Sequence, residues 1–234
     1  MENKKTIIGI IILLILIIVT VVGAYFYNRT STEQINLLTD ETNQLLQSDI
    51  LKDDIDSKIK TEKNYAIVEK SIKEYLSKIK ALYTDMKETN NEINPHIIFQ
   101  AENVKGENFT VVDNIISNYK EKAQKDFEEY EELIKEENII NGFEENKITN
   151  RKEYYKNLYK TVMLSDVMKS KYSNIQEKIE KEKDSIIERA NKLTKIKEFL
   201  IENKKYWNVK EDKIQFTNIS KMTEYYNLIN QLVD

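Results

Sequence analysis

Residues 65–86 read YAIVEKSIKEYLSKIKALYTDM, and the spacing within them decides the fold. Tyr65, Val68, Ile72, Tyr75, Ile79, Leu82 and Met86 recur at intervals of 3, 4, 3, 4, 3 and 4. That alternation puts the apolar side chains on one narrow stripe of an α-helix, a heptad seam held for three repeats. A strand, with its period of two, would scatter them over both faces. The seam predicts side-by-side packing against another long helix at a shallow crossing angle. Its partner is either a helix of the same chain or the same seam in a second copy, so these seven residues are also the candidate interaction surface.

Toward the C-terminus the seam must end before Pro95, which lacks an amide hydrogen and biases Asn94 away from helical geometry. Residues 90–109, with Asn90-Asn91, Asn94-Pro95 and Gly106, read as an irregular connection. Thr110 then caps a helix with the apolar face Val112, Ile115, Ile116, Tyr119, Ala123, Phe127, Tyr130 and Leu133, and Gly142 is its expected stop. The next helix is expected over residues 150–203. It buries Tyr155, Leu158, Val162, Met168, Tyr172, Ile175, Ile179, Ile186, Ala190, Leu193, Ile196 and Leu200, and it loses phase near Ser165-Asp166, where a kink is predicted. Trp207 and Val209, then Ile214 and Phe216, alternate as in a small β-hairpin, although no glycine stands at the turn. A final helix from Asn218 carries Ile219, Met222, Tyr226, Ile229 and Leu232.

Toward the N-terminus, Thr30-Ser31-Thr32-Glu33 forms a capping box that opens a helix through Ile35, Leu38, Leu45 and Leu46. Before it, residues 6–27 read TIIGIIILLILIIVTVVGAYFY without one charge. As a helix this stretch is about 33 Å long, enough to cross a hydrocarbon core of roughly 30 Å. Thr6, Gly9, Leu13, Leu16, Val19, Val22 and Tyr27 mark its course through the bilayer, and the Tyr25-Phe26-Tyr27 aromatics suit the headgroup layer. Lys4 and Lys5 precede it, and only Arg29 follows it before Lys52. The positive-inside bias therefore places residues 1–5 in the cytoplasm and residues 28–234 outside. Cleavage after Ala24 is the competing reading, but the apolar run from Thr6 to Ala24 exceeds the 7–15 residues of a signal-peptide core. The fold class read from the chain is all-α: a transmembrane helix, then an elongated antiparallel helical bundle with coiled-coil-like packing and a small hairpin near its end.

Composition excludes several chemistries. With no Cys and one His in 234 residues there is no disulfide framework, no thiol nucleophile and no multi-histidine metal site. Four Gly and one Pro suit long helices better than phosphate-cradling loops. Lysine outnumbers arginine 33 to 3, and Asn and Ile are abundant. That is the bias of an AT-rich genome, and an exported chain without Cys fits a Gram-positive bacterium. The whole chain carries −4; residues 1–27 contribute +1 from Lys4 and Lys5 against Glu2, which leaves −5 on residues 28–234. A nucleic acid partner is therefore not expected.

The individual candidates are weak. His96 has no motif partner for general-base work. Glu88–Pro95 has a superficial similarity to the Glu-Ser-x-Phe-Asn-Pro signature of lytic transglycosylases, but Asn90 stands where the catalytic acid belongs, and that reading is rejected. Asp49, Asp53, Asp54 and Asp56 lack the glycine and spacing of a calcium loop. The acids from Asp126 to Glu137 read as the solvated face of an amphipathic helix. Lys204-Lys205-Tyr206-Trp207 reads as a core tryptophan with surface lysines, and the fourteen tyrosines read chiefly as core. No catalytic residue, cofactor or metal is called for.

The functional expectation is a non-enzymatic single-pass membrane protein at the cell envelope. It touches lipid through residues 6–27, and its helical ectodomain acts as a scaffold or interaction module for an envelope protein or for a second copy. The alternative is a ligand-binding sensor module working with a separate transducer, its pocket formed by residues 90–109 and the hairpin. A third reading, a cell-wall hydrolase, has no motif behind it.

Overall fold

A computed structural model of the chain describes residues 29–105 and 109–233. The membrane-spanning reading of residues 6–27, with Thr6, Gly9, Leu13, Leu16, Val19, Val22 and Tyr27, and the cytoplasmic tail 1–5 lie outside the described residues. Among the described residues no helix is long and apolar enough to cross a membrane.

The described chain is predominantly helical, with one antiparallel hairpin near the C-terminus. Its elements are α1 (Arg29–Gln47), α2 (Lys63–Glu92), the one-turn helices α3 (Pro95–Ile98) and α4 (Ala101–Val104), α5 (Thr110–Leu133), α6 (Glu136–Asn141), α7 (Lys152–Met163), α8 (Asp166–Glu202), β1 (Trp207–Lys210), β2 (Lys213–Phe216) and α9 (Ile219–Val233). They form two compact units. The first holds residues 29–84 and 129–177, the second residues 85–128 and 178–233.

Local chemistry explains most boundaries. Pro95, as anticipated, stands outside α2; it opens α3 at the first helical position, where its missing donor costs nothing. The Asn94 side chain caps α3 by accepting from the His96 amide at 3.0 Å. The single helix expected over residues 150–203 is two, α7 and α8, separated at Leu164-Ser165. Ser165 Oγ donates to the Val162 carbonyl at 2.8 Å and accepts from the Met168 amide at 3.3 Å. It therefore closes one helix and caps the next where the hydrophobic phase slips. The hairpin pairs Trp207 with Phe216 and Val209 with Ile214. Its turn is built from Glu211 and Asp212, both at positive φ (52° and 54°), the arrangement of a type I′ turn without its usual glycine.

In the first unit Ile35, Leu38, Leu46, Val68, Ile72, Leu76, Ile79, Leu158, Val162 and Ile175 are buried, with Tyr65, Tyr75, Tyr130, Tyr155, Tyr159 and Tyr172 among them. In the second, the core holds Val112, Ile116, Ala123, Ile186, Leu193, Ile196, Leu200, Trp207, Tyr225, Ile229 and Leu232. All seven seam residues from Tyr65 to Met86 are buried, none more than 8% exposed. Full burial of a side chain of that size contributes about 1.5–3 kcal/mol.

Two helix faces, one apolar and one acidic, differ from the sequence reading. In α9 the residues turned inward are Tyr225, Ile229 and Leu232, whereas Ile219, Met222 and Tyr226 face solvent. The helix has two apolar stripes about 100° apart, and periodicity alone does not say which one meets the core. In α5, Asp126 leaves the solvated acidic face: it is 6% exposed and accepts from Lys122 Nζ at 3.1 Å.

Candidate functional site

A cleft in the first unit has a volume of about 530 Å³. One wall is a single face of α2, where Ser71, Glu74, Tyr75 and Lys78 follow at helical spacing. The opposite wall is the end of α6 (Ile140, Asn141), then Gly142 and Phe143, then the 3₁₀ turn Glu145–Lys147 with Glu144 before it. Lys156 on α7 completes it.

Gly142 sets the width of this cleft. Its backbone is helical (φ −67°, ψ −12°), so left-handed geometry is not why glycine stands there. A Cβ at this position would lie 2.4 Å from Tyr75 Cδ2 and 2.9 Å from the Tyr159 hydroxyl. The residue allows close approach of a ring. Tyr75 in turn donates its hydroxyl to the carbonyl of Leu133, the last residue of α5. Tyr159 donates to Ile139 O at 2.9 Å and Tyr130 to Tyr172 O at 2.6 Å. Two of these phenols therefore satisfy carbonyls at helix ends, where intrahelical donors run out. Burial pushes Tyr75 up to about 12.

The charges in the cleft are three carboxylates and three ammonium groups: Glu74, Glu144 and Glu145 with Lys78, Lys147 and Lys156. Lys147 pairs with Glu144, and Lys156 with Glu145 at 2.9 Å. The hydrogen bond from Lys147 holds the Glu144 carboxyl below its usual range, helped by the charges of Lys70 and Lys78. Lys156 does the same for Glu145. Glu144 keeps one buried oxygen, Oε2, that accepts no hydrogen bond.

A second polar centre lies deeper in the same unit and has a structural role. Lys73, 4% exposed, reaches Glu41 Oε2 at 2.9 Å, Glu69 Oε1 at 2.7 Å and the Lys58 carbonyl at 2.7 Å. Glu69, 1% exposed, also accepts from the Thr61 amide at 2.9 Å and the Thr61 hydroxyl at 2.8 Å. Burial raises the Glu69 carboxyl, but the hydrogen bonds from Lys73, Thr61 and Lys60 outweigh it and hold the group below its ordinary value. Burial lowers Lys73, and Glu69 and Glu41 reverse that, so its ammonium is held above the ordinary value. The network centres on Glu41, Glu69 and Lys73, each side chain at most 6% exposed, with the part-exposed Lys60 pairing with Glu41 at its rim. It fastens the loop before α2 onto α1 and α2.

The residues singled out in the sequence fall as follows. His96 is exposed on α3. The four aspartates are tied locally: the Asp49 amide donates to Asp53 Oδ2 at 2.7 Å, Lys80 reaches Asp54 at 3.1 Å, and Asp56 accepts from the Lys58 amide at 2.9 Å. Among the described residues no group of three or more His, Asp or Glu side chains is placed to hold a metal ion. Trp207 is in the core and donates to Leu200 O at 2.7 Å, as expected of a structural tryptophan. The cleft was missed by sequence reasoning, because its walls come from residues about 70 positions apart. The only sequence signal was Gly142, one of four glycines, which the periodicity reading treats merely as a helix stop.

Comparison with protein-family models, with curated proteins and with solved structures gives no match for this chain.

Proposed function

We propose that the chain is a non-enzymatic, single-pass membrane protein of the cell envelope. Residues 6–27 anchor it in the bilayer with residues 1–5 in the cytoplasm, and residues 28–234 form a helical extracytoplasmic scaffold or protein-interaction module. The anchor rests on the uncharged 22-residue stretch. The long helices pack side by side in antiparallel, coiled-coil-like fashion, a reading the 3-4 spacing of the α2 seam supports.

One observation carries the interaction reading: the outward stripe of α9, where Ile219 is 79%, Met222 37% and Tyr226 46% exposed. In a chain with 32% charged residues, five other outward positions of this helix, Ser220, Thr223, Asn227, Asn230 and Gln231, are uncharged. Only the Lys221–Glu224 pair, at 2.6 Å, brings charge to α9. Such a surface gains from being covered by another protein. The α2 seam is buried by its own chain, so in this reading contact with a partner or a second copy runs through α9. The stripe is smaller than the roughly 800 Å² per partner of a standard interface. A shared membrane raises the effective concentration enough for a small contact to hold.

The test is photo-crosslinking in intact cells from positions 222 and 226, with exposed Glu153 as the control position. Adducts from α9 that vanish on Ile219→Asp support the reading; equal yields at all three positions, or none from α9, overturn it. Protease added to intact cells should remove the C-terminal portion, and full protection would refute the proposed orientation. A second reading, a ligand-binding module working with a separate transducer, is favoured by the charged cleft along α2.

A further inference from the structure

We infer that the cleft between Lys78 of α2 and Glu144 binds a small zwitterion, an ammonium and a carboxylate on one molecule of short-peptide size. This inference rests on the ligand-binding reading above and names its ligand class. The volume, about 530 Å³, lies inside the roughly 300–1,000 Å³ of small-molecule sites. It is preformed, because the Tyr75 ring is locked between Gly142 and the Leu133 carbonyl.

Internal pairing leaves one acceptor oxygen and one ammonium group without a direct partner, although the Lys78 charge already acts on Glu144. Lys147 takes Glu144 Oε1, Lys156 takes Glu145 Oε2, and Glu74 is held by Lys70 at 3.4 Å. Lys78 makes no ion pair or hydrogen bond with any described residue. On the acidic side, Glu144 Oε2 is buried with no donor. A buried acceptor left without a donor is the costly half of an incomplete hydrogen bond. An ammonium on the ligand supplies that donor, and a carboxylate supplies the counter-charge for Lys78. Simpler charge types fit worse. A polyanion would also face Glu74, Glu144 and Glu145, and a polycation would face Lys78, Lys147 and Lys156. A neutral ligand with an N–H or O–H donor would satisfy Glu144 Oε2 but would leave Lys78 without a counter-charge.

Titration calorimetry on the full 234-residue chain tests this with four probes: trialanine, its N-acetylated form, its C-amidated form and the doubly capped peptide. Trialanine should bind, and each single cap should weaken binding about tenfold or more, the loss expected for one charge-assisted contact. Lys78→Ala should make the acid and the amide bind alike, with an unchanged melting temperature because Lys78 is exposed and has no ion pair among the described residues. Glu144→Gln should remove the dependence on the free amine. Doubly capped peptide binding as well as trialanine overturns the zwitterion while leaving a ligand site in the cleft. No binding by any of the four overturns both.

Discussion

Replacing Gly142 by alanine should destabilise the protein, although its backbone is helical. At an unconstrained helical position the exchange stabilises by about 0.4–1 kcal/mol, because alanine has fewer unfolded conformations to lose. Here the new Cβ would meet Tyr75 Cδ2 at 2.4 Å and Cε2 at 2.7 Å, whereas ordinary contact begins near 3.4 Å. The ring must therefore retreat by about 1 Å, an overpacking of the kind that costs about 1–3 kcal/mol. Tyr75 is only 3% exposed and its hydroxyl is tied to Leu133 O, so retreat also breaks a hydrogen bond, another 1 kcal/mol or so. With the entropic gain subtracted, the net loss is about 1–3.5 kcal/mol. Urea unfolding followed by far-ultraviolet circular dichroism measures it. In a Tyr75→Leu background the aliphatic chain can turn aside, and the penalty should fall to the share that comes from the Tyr159 hydroxyl, 2.9 Å from the new Cβ. A neutral or stabilising Gly142→Ala in the native background would refute the claim that this glycine exists for the ring.

Lys73→Met should cost about 3–5 kcal/mol, because it leaves the Glu69 carboxylate buried without its cation, while Glu41 keeps Lys60. Stability against pH follows from the same network. Glu69 is depressed below 4.5, so its contribution is present above that value and fades as pH falls through the folded-state value. Lys73 is raised above 10.5, so its contribution is present below that value and fades as pH climbs through its raised one. Urea midpoints that stayed flat on acidification below 4.5 would contradict the Glu69 half. At the hairpin, Glu211→Asn with Asp212→Gly should raise stability by about 0.5–1.5 kcal/mol, since both sites hold positive φ. A drop in the unfolding midpoint would argue against a type I′ turn.

Much of the fold was legible because its signals are local. The 3-4 spacing from Tyr65 to Met86, the stop before Pro95 and the break at Ser165 each depend on neighbours within two turns of chain, and each has its counterpart in the described structure. The hairpin was readable from the alternation of Trp207, Val209, Ile214 and Phe216, even without a turn glycine. What escaped depends on tertiary context. Ile219, Met222 and Tyr226 are as helical in spacing as Tyr225, Ile229 and Leu232, and only packing selects between the two stripes. Lys73 looks like any lysine on a polar face until Glu41, 32 positions earlier, is brought beside it. Gly142 reads as a stop signal because nothing nearby in sequence reveals the Tyr75 ring. The cleft combines both problems.

The buried phenols give the molecule an optical property of its own. Tyr130, Tyr159, Tyr172 and Tyr225 are pushed by burial well above the range in which a solvated phenol ionises, and the first two also donate to backbone carbonyls. In rising alkali, surface tyrosines should ionise first, near 10. The interior set should stay protonated until the helices part, then turn over together. The near-ultraviolet absorbance of phenolate would thus follow two separate waves, the later one coinciding with the collapse of the dichroism signal. An unlabelled sample therefore carries an intrinsic gauge of whether its interior is open or shut.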